Sequence, residues 1–104
     1  PRSDAAALVR MVESLIAARL PHRLAEEDAA RLVGTSRRTL VRRLAEAGCA
    51  FRPLLDRVLR ERARTMLAEG TQSRDEMATA LGYTDATSFS RACRRWFGAK
   101  GVRG

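Results

Sequence analysis

Arginine is the residue of this chain whose type and number could do chemistry. The 104 residues include 20 basic side chains against 12 acidic ones, a net charge of +8 at pH 7, and every basic residue except Lys100 is arginine. The guanidinium group holds five N–H donors in a planar fork that matches phosphate oxygens and the O6 and N7 atoms of guanine. A polyanion is therefore one candidate partner, and an arginine-rich surface without such a partner is the alternative.

The arginines are concentrated in two blocks. Residues 1–35 carry five arginines and five acids, and residues 65–85 carry one arginine and four acids. Residues 36–64 carry nine arginines and three acids, a net +6, and residues 86–104 carry four arginines, Lys100 and no acid, a net +5. Patches of basic excess are the electrostatic footprint of a nucleic-acid-binding protein.

Other chemistries have few candidate residues. The single histidine, His22, is flanked by Pro21 and Arg23. The spacing of Cys49 and Cys93 fits neither a disulfide scaffold nor a zinc motif. No Ser/His/Asp set, pair of catalytic carboxylates or phosphate-cradling glycine loop can be assembled. We predict a protein that is not an enzyme and that binds no metal or cofactor.

Length and hydropathy predict one small globular domain over residues 1–104. No apolar run approaches the ~18 residues of a membrane span, and no apolar stretch follows a basic start as in a signal peptide. Because the sequence starts at Pro1 and not at Met, we expect a fragment or a processed form of a longer protein.

The elements that must position the arginines are helices, because apolar residues recur with the helical period along the whole chain and no stretch alternates as strands do. They are predicted at about residues 4–20, 25–33, 36–47, 52–69, 73–81 and 84–97. Ser36 is the predicted N-cap of the third helix, and Thr84 or Asp85 that of the last. Ser73 and Glu76 make a capping-box pattern.

The fourth helix is the longest of the predicted helices. Its predicted apolar stripe consists of Leu55, Val58, Leu59, Arg62, Met66 and Leu67. The helix carries four arginines toward its middle and end, Arg57, Arg60, Arg62 and Arg64. We expect some of these four to pair with Asp56 and Glu61.

Two segments that lie 48 residues apart share one pattern. Each has an alanine four residues before a glycine, then a polar cap, then two apolar residues one helical turn apart. The residues are Ala30, Gly34, Ser36, Leu40 and Leu44 in the first segment and Ala78, Gly82, Thr84, Phe89 and Cys93 in the second. The alanine permits close approach of two helices, and the glycine permits a tight turn between them. The pattern is that of a helix-turn-helix.

The second helix of each segment leaves one face free, and each basic block includes such a helix. The free positions beside the apolar residues are Arg38, Val41, Arg42, Thr87, Ser90 and Arg91. A helix-turn-helix places its second helix in the major groove of DNA. The fourth helix, at ~1.5 Å per residue roughly 27 Å long, would hold the two second helices about one DNA turn, ~34 Å, apart on one duplex face.

These segments resemble the DNA-binding domain of the AraC/XylS family of bacterial transcription regulators. The resemblance covers about residues 8–98. It is carried by LAEEDAARLVGTSRRTLVRRLAEAG at residues 24–48, by residues 51–67, and above all by EMATALGYTDATSFSRACRRWFG at residues 76–98. The last stretch is similar to the family signature.

The resemblance implies an all-α fold of about seven helices. Two helix-turn-helix units, at about residues 25–48 and 74–97, would be joined by a linker helix at about residues 52–69. The implied function is sequence-specific binding of double-stranded DNA by a transcription regulator in the bacterial cytoplasm, at the nucleoid. Family members usually activate transcription, contact RNA polymerase and carry a separate effector-binding or dimerisation domain. We expect that domain to be missing here, which would leave a monomeric domain with no membrane partner.

Carried over by position, the family's base-reading residues fall on both second helices. They are Arg38, Val41 and Arg42 in the first unit and Ala86, Thr87, Ser90 and Arg91 in the second. Weaker candidates, for phosphate contact, are Arg37, Arg43, Arg94 and Arg95. Base contacts would choose the sequence, whereas phosphate contacts would add affinity and salt dependence.

Three positions depart from the family pattern. Ala25 stands where a Ser or Thr cap is usual, a loss typically worth ~1 kcal/mol. Cys93 replaces a core aromatic residue, so we expect looser packing there. Residues 99–104 replace the usual tail, and we expect them to be disordered or partly non-native.

Two other functions stay open at this point. The first is a helical protein-interaction module of the same fold, whose arginines would meet an acidic partner. The second is a DNA-repair alkyl acceptor, which would need an exposed and activated thiolate, whereas we expect Cys93 to be buried. Trp96 and Phe97 could wedge into DNA, but core packing is the expectation.

Overall fold

The computed structural model describes residues 2–101, with side chains from Asp4 to Gly98, and this part of the chain is helical without a strand. The helices are α1 (Arg2–Arg19), α2 (Glu26–Leu32), α3 (Arg37–Glu46), α4 (Phe51–Glu69), α5 (Arg74–Ala80) and α6 (Ala86–Gly101). The all-α prediction is confirmed, with six helices in place of about seven. Near its end α6 bends at Gly98, where φ is 75° and ψ is −177°. Of the tail at residues 99–104, expected to be disordered or partly non-native, residues 99–101 are helical and belong to α6, so disorder is wrong for them. Residues 102–104 lie outside the described residues.

The described helices form two compact units. Unit 1 contains α1, α2, α3 and α4 as far as Val58. Unit 2 contains Leu20–His22, α4 from Leu59 onward, α5 and α6. Within residues 2–101, no helix is long and apolar enough to cross a membrane.

The core of unit 1 forms where α1 packs against α2 and α3. Its buried residues are Val12, Ile16, Leu24, Ala29, Ala30, Leu40, Leu44, Phe51 and Leu54. Ala30, Leu40 and Leu44, the small and apolar positions of the first repeat, are among them. Phe51 and Leu54 were not predicted, because the stripe assigned to α4 began one turn too late.

The core of unit 2 forms where α5 packs against α6. Its buried residues are Leu59, Ala63, Met77, Ala78, Leu81, Phe89, Ala92 and Cys93. The prediction that Arg62 lies on the apolar stripe of α4 is wrong: Arg62 is exposed, and Ala63 is buried in its place. Ala63 lies four residues after the buried Leu59, on the same face of α4.

The same turn closes the first helix of both repeats. In unit 1, Thr35 N donates to Ala30 O at 2.9 Å and Gly34 N donates to Arg31 O at 3.0 Å. This is a Schellman motif, and it requires left-handed backbone at Gly34, where φ is 79°. Gly82 holds the corresponding position in unit 2 with φ of 81°, and the corresponding two bonds measure 2.9 and 3.1 Å. The repeat seen in the sequence is therefore also a repeat of backbone hydrogen bonds.

Candidate nucleic-acid interface

Helix α3 is oriented by its cap and by two buried side chains. Ser36 caps it as predicted, since Ser36 Oγ accepts a hydrogen bond from Thr39 N at 3.1 Å. Leu40 and Leu44 are fully buried, one turn apart. These two contacts fix the rotation of α3, so the positions between them turn outward.

The outward face of α3 carries the three predicted base-reading residues of unit 1. Arg38 and Arg42 are exposed, and Val41 is 46% exposed although it is apolar. Arg42 Nη1 lies 3.8 Å from Glu46 Oε2, an exposed pair of a kind that contributes little to stability. The Arg38 side chain makes no hydrogen bond or ion pair with any other residue of the described range. This face is therefore available to a partner.

The two phosphate candidates of α3 are exposed and have neighbours within their own unit. Arg37 Nε lies 3.2 Å from Oε1 of Glu26, the first residue of α2, and so ties the two helices of the repeat together. Arg43 lines a small cavity with Glu46 and with Asp4, Ala5 and Leu8 of α1. Both side chains have neighbours that the sequence pattern could not assign.

Helix α6 is oriented in the same way as α3. Asp85 Oδ1 accepts a hydrogen bond from Ser88 N at 2.7 Å, so Asp85 rather than Thr84 is the cap. This backbone hydrogen bond is the main cause of a pKa for the Asp85 carboxyl below its ordinary value of 3.8, and the charge of Arg91 contributes to the same shift. Phe89 and Cys93 are fully buried one turn apart.

The outward face of α6 carries the remaining predicted base readers. Thr87 and Arg91 are exposed, whereas Ala86 and Ser90 are half-buried. Ser90 Oγ accepts a hydrogen bond of 3.2 Å from Arg74 Nη1 of α5. Compared with α3, this face has fewer cations and more hydroxyl groups.

The last turns of α6 hold arginines next to aromatic rings. Arg94 and Arg95 are exposed, and Trp96 and Phe97 are half-buried with ring centroids 5.9 Å apart. The Arg95 guanidinium lies 5.5 Å from the Trp96 ring, and a second guanidinium, that of Arg64, lies 5.4 Å from the Phe97 ring. The two rings therefore pack at the edge of unit 2 and not in its buried core.

The arginines of α4 pair mainly as structural residues. Arg60 and Arg64 lie 3.5 and 3.7 Å from Glu61 carboxylate oxygens, as predicted. Arg57 has a different partner, since its Nη2 and Nε lie 2.6 and 2.7 Å from Oε2 of Glu13 on α1. Glu13 is 44 residues away along the chain, so local spacing could not identify this partner.

Both cysteines are free thiols, and only Cys49 is partly accessible. Burial raises the pKa of the Cys93 thiol and outweighs the opposing charge of Arg74. A reactive thiolate needs exposure and a lowered pKa. Cys93 is buried and the pKa of its thiol is raised. The prediction that Cys93 is buried is therefore confirmed.

Besides Glu13, the sequence analysis missed Arg74 and Glu26 as contact residues. Each is the first residue of the first helix in its repeat, and each contacts the second helix. They lie 48 residues apart, which is the repeat spacing. An alignment of the two segments extended toward the N-terminus would have paired them, although not their contacts.

Comparisons with known proteins also identify a helix-turn-helix domain in this chain. The family model of a helix-turn-helix domain matches residues 29–100. The chain is 38% identical to the HTH-type transcriptional regulator VqsM of Pseudomonas aeruginosa over 69 residues, which are 66% of this chain and 21% of VqsM. The chain spans about a fifth of the length of the curated relatives it matches.

Solved structures extend the comparison to the fold. The transcriptional regulator CdpR from Pseudomonas aeruginosa is 35% identical with a TM-score of 0.77, over 88% of this chain and 29% of CdpR. A Chromobacterium violaceum regulator, described as an AraC-type DNA-binding domain-containing protein, shares the fold at 24% identity with a TM-score of 0.79 over 97% of both chains. With the helix-turn-helix model matched over more than half of its length, the chain belongs to the AraC-type family of helix-turn-helix domains of DNA-binding transcription regulators.

Proposed function

We propose that this domain binds double-stranded DNA in a sequence-specific manner, with α3 and α6 as recognition helices in successive major grooves. One observation carries the proposal. In both units a Schellman turn, a side-chain N-cap and a buried apolar pair orient the second helix in the same way. The positions left outside are the same in both units, and they carry donors suited to base edges.

The outward residues of each helix have distinct proposed roles. In unit 1, Arg38 and Arg42 donate to guanine O6 and N7, and Val41 contacts a thymine methyl group. In unit 2, Thr87 and Arg91 contact base edges, with Ala86 and Ser90 beside them.

Phosphate contacts are proposed for arginines at the margins of these faces. Arg94 and Arg95 are exposed at the end of α6 and are the stronger candidates. Arg37 and Arg43 are weaker candidates, because Arg37 already contacts Glu26 and Arg43 lies beside α1. Such contacts supply affinity and salt dependence but no sequence choice.

The context of the domain is also a proposal. We infer a binding protein and not an enzyme, acting in the bacterial cytoplasm at the nucleoid. The full-length regulator would contribute an effector-binding or dimerisation domain, and it would activate transcription through contact with RNA polymerase. The isolated domain is expected to be a monomer.

Selection from a random DNA pool tests the proposed function. The purified domain is incubated with the pool at about 150 mM salt, near physiological ionic strength, and bound duplexes are sequenced. The expected result is a bipartite motif with its halves about one helical turn, roughly 10–10.5 base pairs, apart. An output identical to the input pool would contradict the proposal and favour a protein-interaction module.

A further inference from the structure

Arg74 occupies a position where an arginine does not stabilise its own helix. It lies in the first turn of α5, together with Asp75 and Glu76. The N-terminal turn of a helix carries partial positive charge, so acidic side chains stabilise it and cations do not. Its side chain makes a contact outside α5.

That contact is with the outward face of α6. Arg74 Nη1 donates a hydrogen bond to Ser90 Oγ at 3.2 Å, in half-buried surroundings. Ser90 lies one turn after Thr87 and next to Arg91, both of which are exposed. Arg74 makes no other hydrogen bond or ion pair within the described residues.

This bond restricts what the serine hydroxyl can do next. A hydroxyl group has one hydrogen to donate and two lone pairs that accept, whereas a guanidinium group only donates. Because Arg74 occupies a lone pair, the hydroxyl hydrogen stays available for another partner. The adjacent cation also polarises the O–H bond and makes it a stronger donor.

The residue of unit 1 that is equivalent to Arg74 makes a contact of the opposite chemistry, at a different position of its second helix. Glu26 holds the same repeat position as Arg74, and its Oε1 accepts from Arg37 Nε at 3.2 Å. In unit 1 a group of the second helix, Arg37 Nε, donates to the first helix. In unit 2 the first helix donates to Ser90 Oγ of the second helix, and the hydroxyl hydrogen of Ser90 stays available.

We propose that Arg74 is a positioning residue that makes Ser90 a hydrogen-bond donor toward DNA. Unit 2 would then prefer an acceptor edge, such as guanine O6 and N7, over the cytosine amino group at the base pair that Ser90 faces. The inference rests on the proposed function, because it requires α6 to lie in the major groove. It adds a residue of α5 to those that determine specificity.

Four variants test the proposal on the selected duplex and on its single-base variants. Ser90→Ala identifies the base pair that Ser90 reads, as the position where guanine and cytosine become equivalent. Arg74→Met removes the donor and keeps the length of the side chain, and is expected to reduce that preference roughly three- to tenfold. Arg74→Lys keeps a cationic donor and should retain most of it. The double variant Arg74→Met/Ser90→Ala should discriminate no worse than Ser90→Ala alone.

Several results would overturn the inference. They are full discrimination by Arg74→Met, an equal loss of affinity for all four bases, or a loss that adds to that of Ser90→Ala. An unaltered motif for Ser90→Ala would also overturn it. Thermal melting of each variant separates these results from unfolding, since an intact Arg74→Met domain should melt close to the wild type. If the wild-type domain selects no sequence, the proposed function itself fails. That result differs from a failure of the Arg74 proposal, in which the wild type still selects a motif.

Discussion

At the scale of single residues, some arginines have a carboxylate partner within their own unit and others do not. Arg37 and Arg57 contact the carboxylates of Glu26 and Glu13. Arg38 has no such partner among the described residues. Sequence-specific readout requires free and oriented donors, so Arg38 is the strongest base-reading candidate of unit 1.

The first prediction concerns readout by α3. Arg38→Ala and Arg42→Ala should each relax base preference at one position in one half of the motif, because a bidentate arginine–guanine contact discriminates by ~1–3 kcal/mol. Competition binding with single-base variants of the selected duplex measures this. Arg31→Ala is the matched control, since Arg31 is exposed on α2 and pairs with Asp28. The assignment is wrong if the double variant Arg38→Ala/Arg42→Ala keeps every base preference.

The sequence was sufficient to predict which side chains of α3 lie outward, but not which residues the arginines contact. Leu40 and Leu44 lie four residues apart, so their burial could be predicted from helical periodicity, and the outward positions followed. The Arg57–Glu13 pair could not be predicted, because it joins two helices through the packing of unit 1. Long basic side chains reach neighbours that local spacing does not define.

At the scale of elements, helix ends were predictable because they depend on local chemistry. Ser73 Oγ accepts from Glu76 N at 3.1 Å and Glu76 Oε1 accepts from Ser73 N at 2.7 Å, which completes the predicted capping box. Ala25 has no capping side-chain bond, as its residue type requires. The choice between Thr84 and Asp85 needed the structure, because both residue types can cap.

The second prediction concerns the cap of α6. The pKa of Asp85 is lowered in the folded protein, so its stabilising contribution is fully present above the ordinary value of 3.8 and is lost as pH falls through the lower folded-state pKa. Asp85→Asn keeps a capping oxygen but removes the titration. Urea unfolding at a series of pH values should show a difference between the wild type and Asp85→Asn that is constant above pH 3.8 and shrinks below it.

Asp85→Ala is the companion variant for this measurement. It lacks both the charge and the capping oxygen, so it should be less stable than Asp85→Asn across the whole pH series. A difference between the wild type and Asp85→Asn that does not change with pH would contradict the account of the Asp85 pKa.

At the scale of the whole molecule, charge and repetition were the informative features. The net charge of +8 indicated a polyanion partner, and the 48-residue repeat indicated two units with the same construction. In the structure both repeats form the same glycine turn and bury an apolar pair one turn apart. The sequence shows Glu26 and Arg74 at equivalent positions, but it could not show that each contacts the second helix of its unit.

The third prediction concerns the salt dependence of DNA binding. Each phosphate contact contributes about 0.9 to the slope of log K against log salt concentration. Arg94→Ala and Arg95→Ala should each lower that slope by about 1 and weaken all sequences about equally. Titrations at several salt concentrations measure it, with Arg31→Ala as a control that removes the same charge. A slope that falls equally in all three variants would mean that only net charge matters.

The most direct test of the central claim is methylation interference on the selected duplex. Methylation of guanine N7 blocks a contact in the major groove without changing the base pair. The account predicts two clusters of interfering guanines, about one helical turn or roughly 10 base pairs apart on one face of the duplex. A single cluster, or no interference at any guanine, would contradict major-groove reading by both α3 and α6.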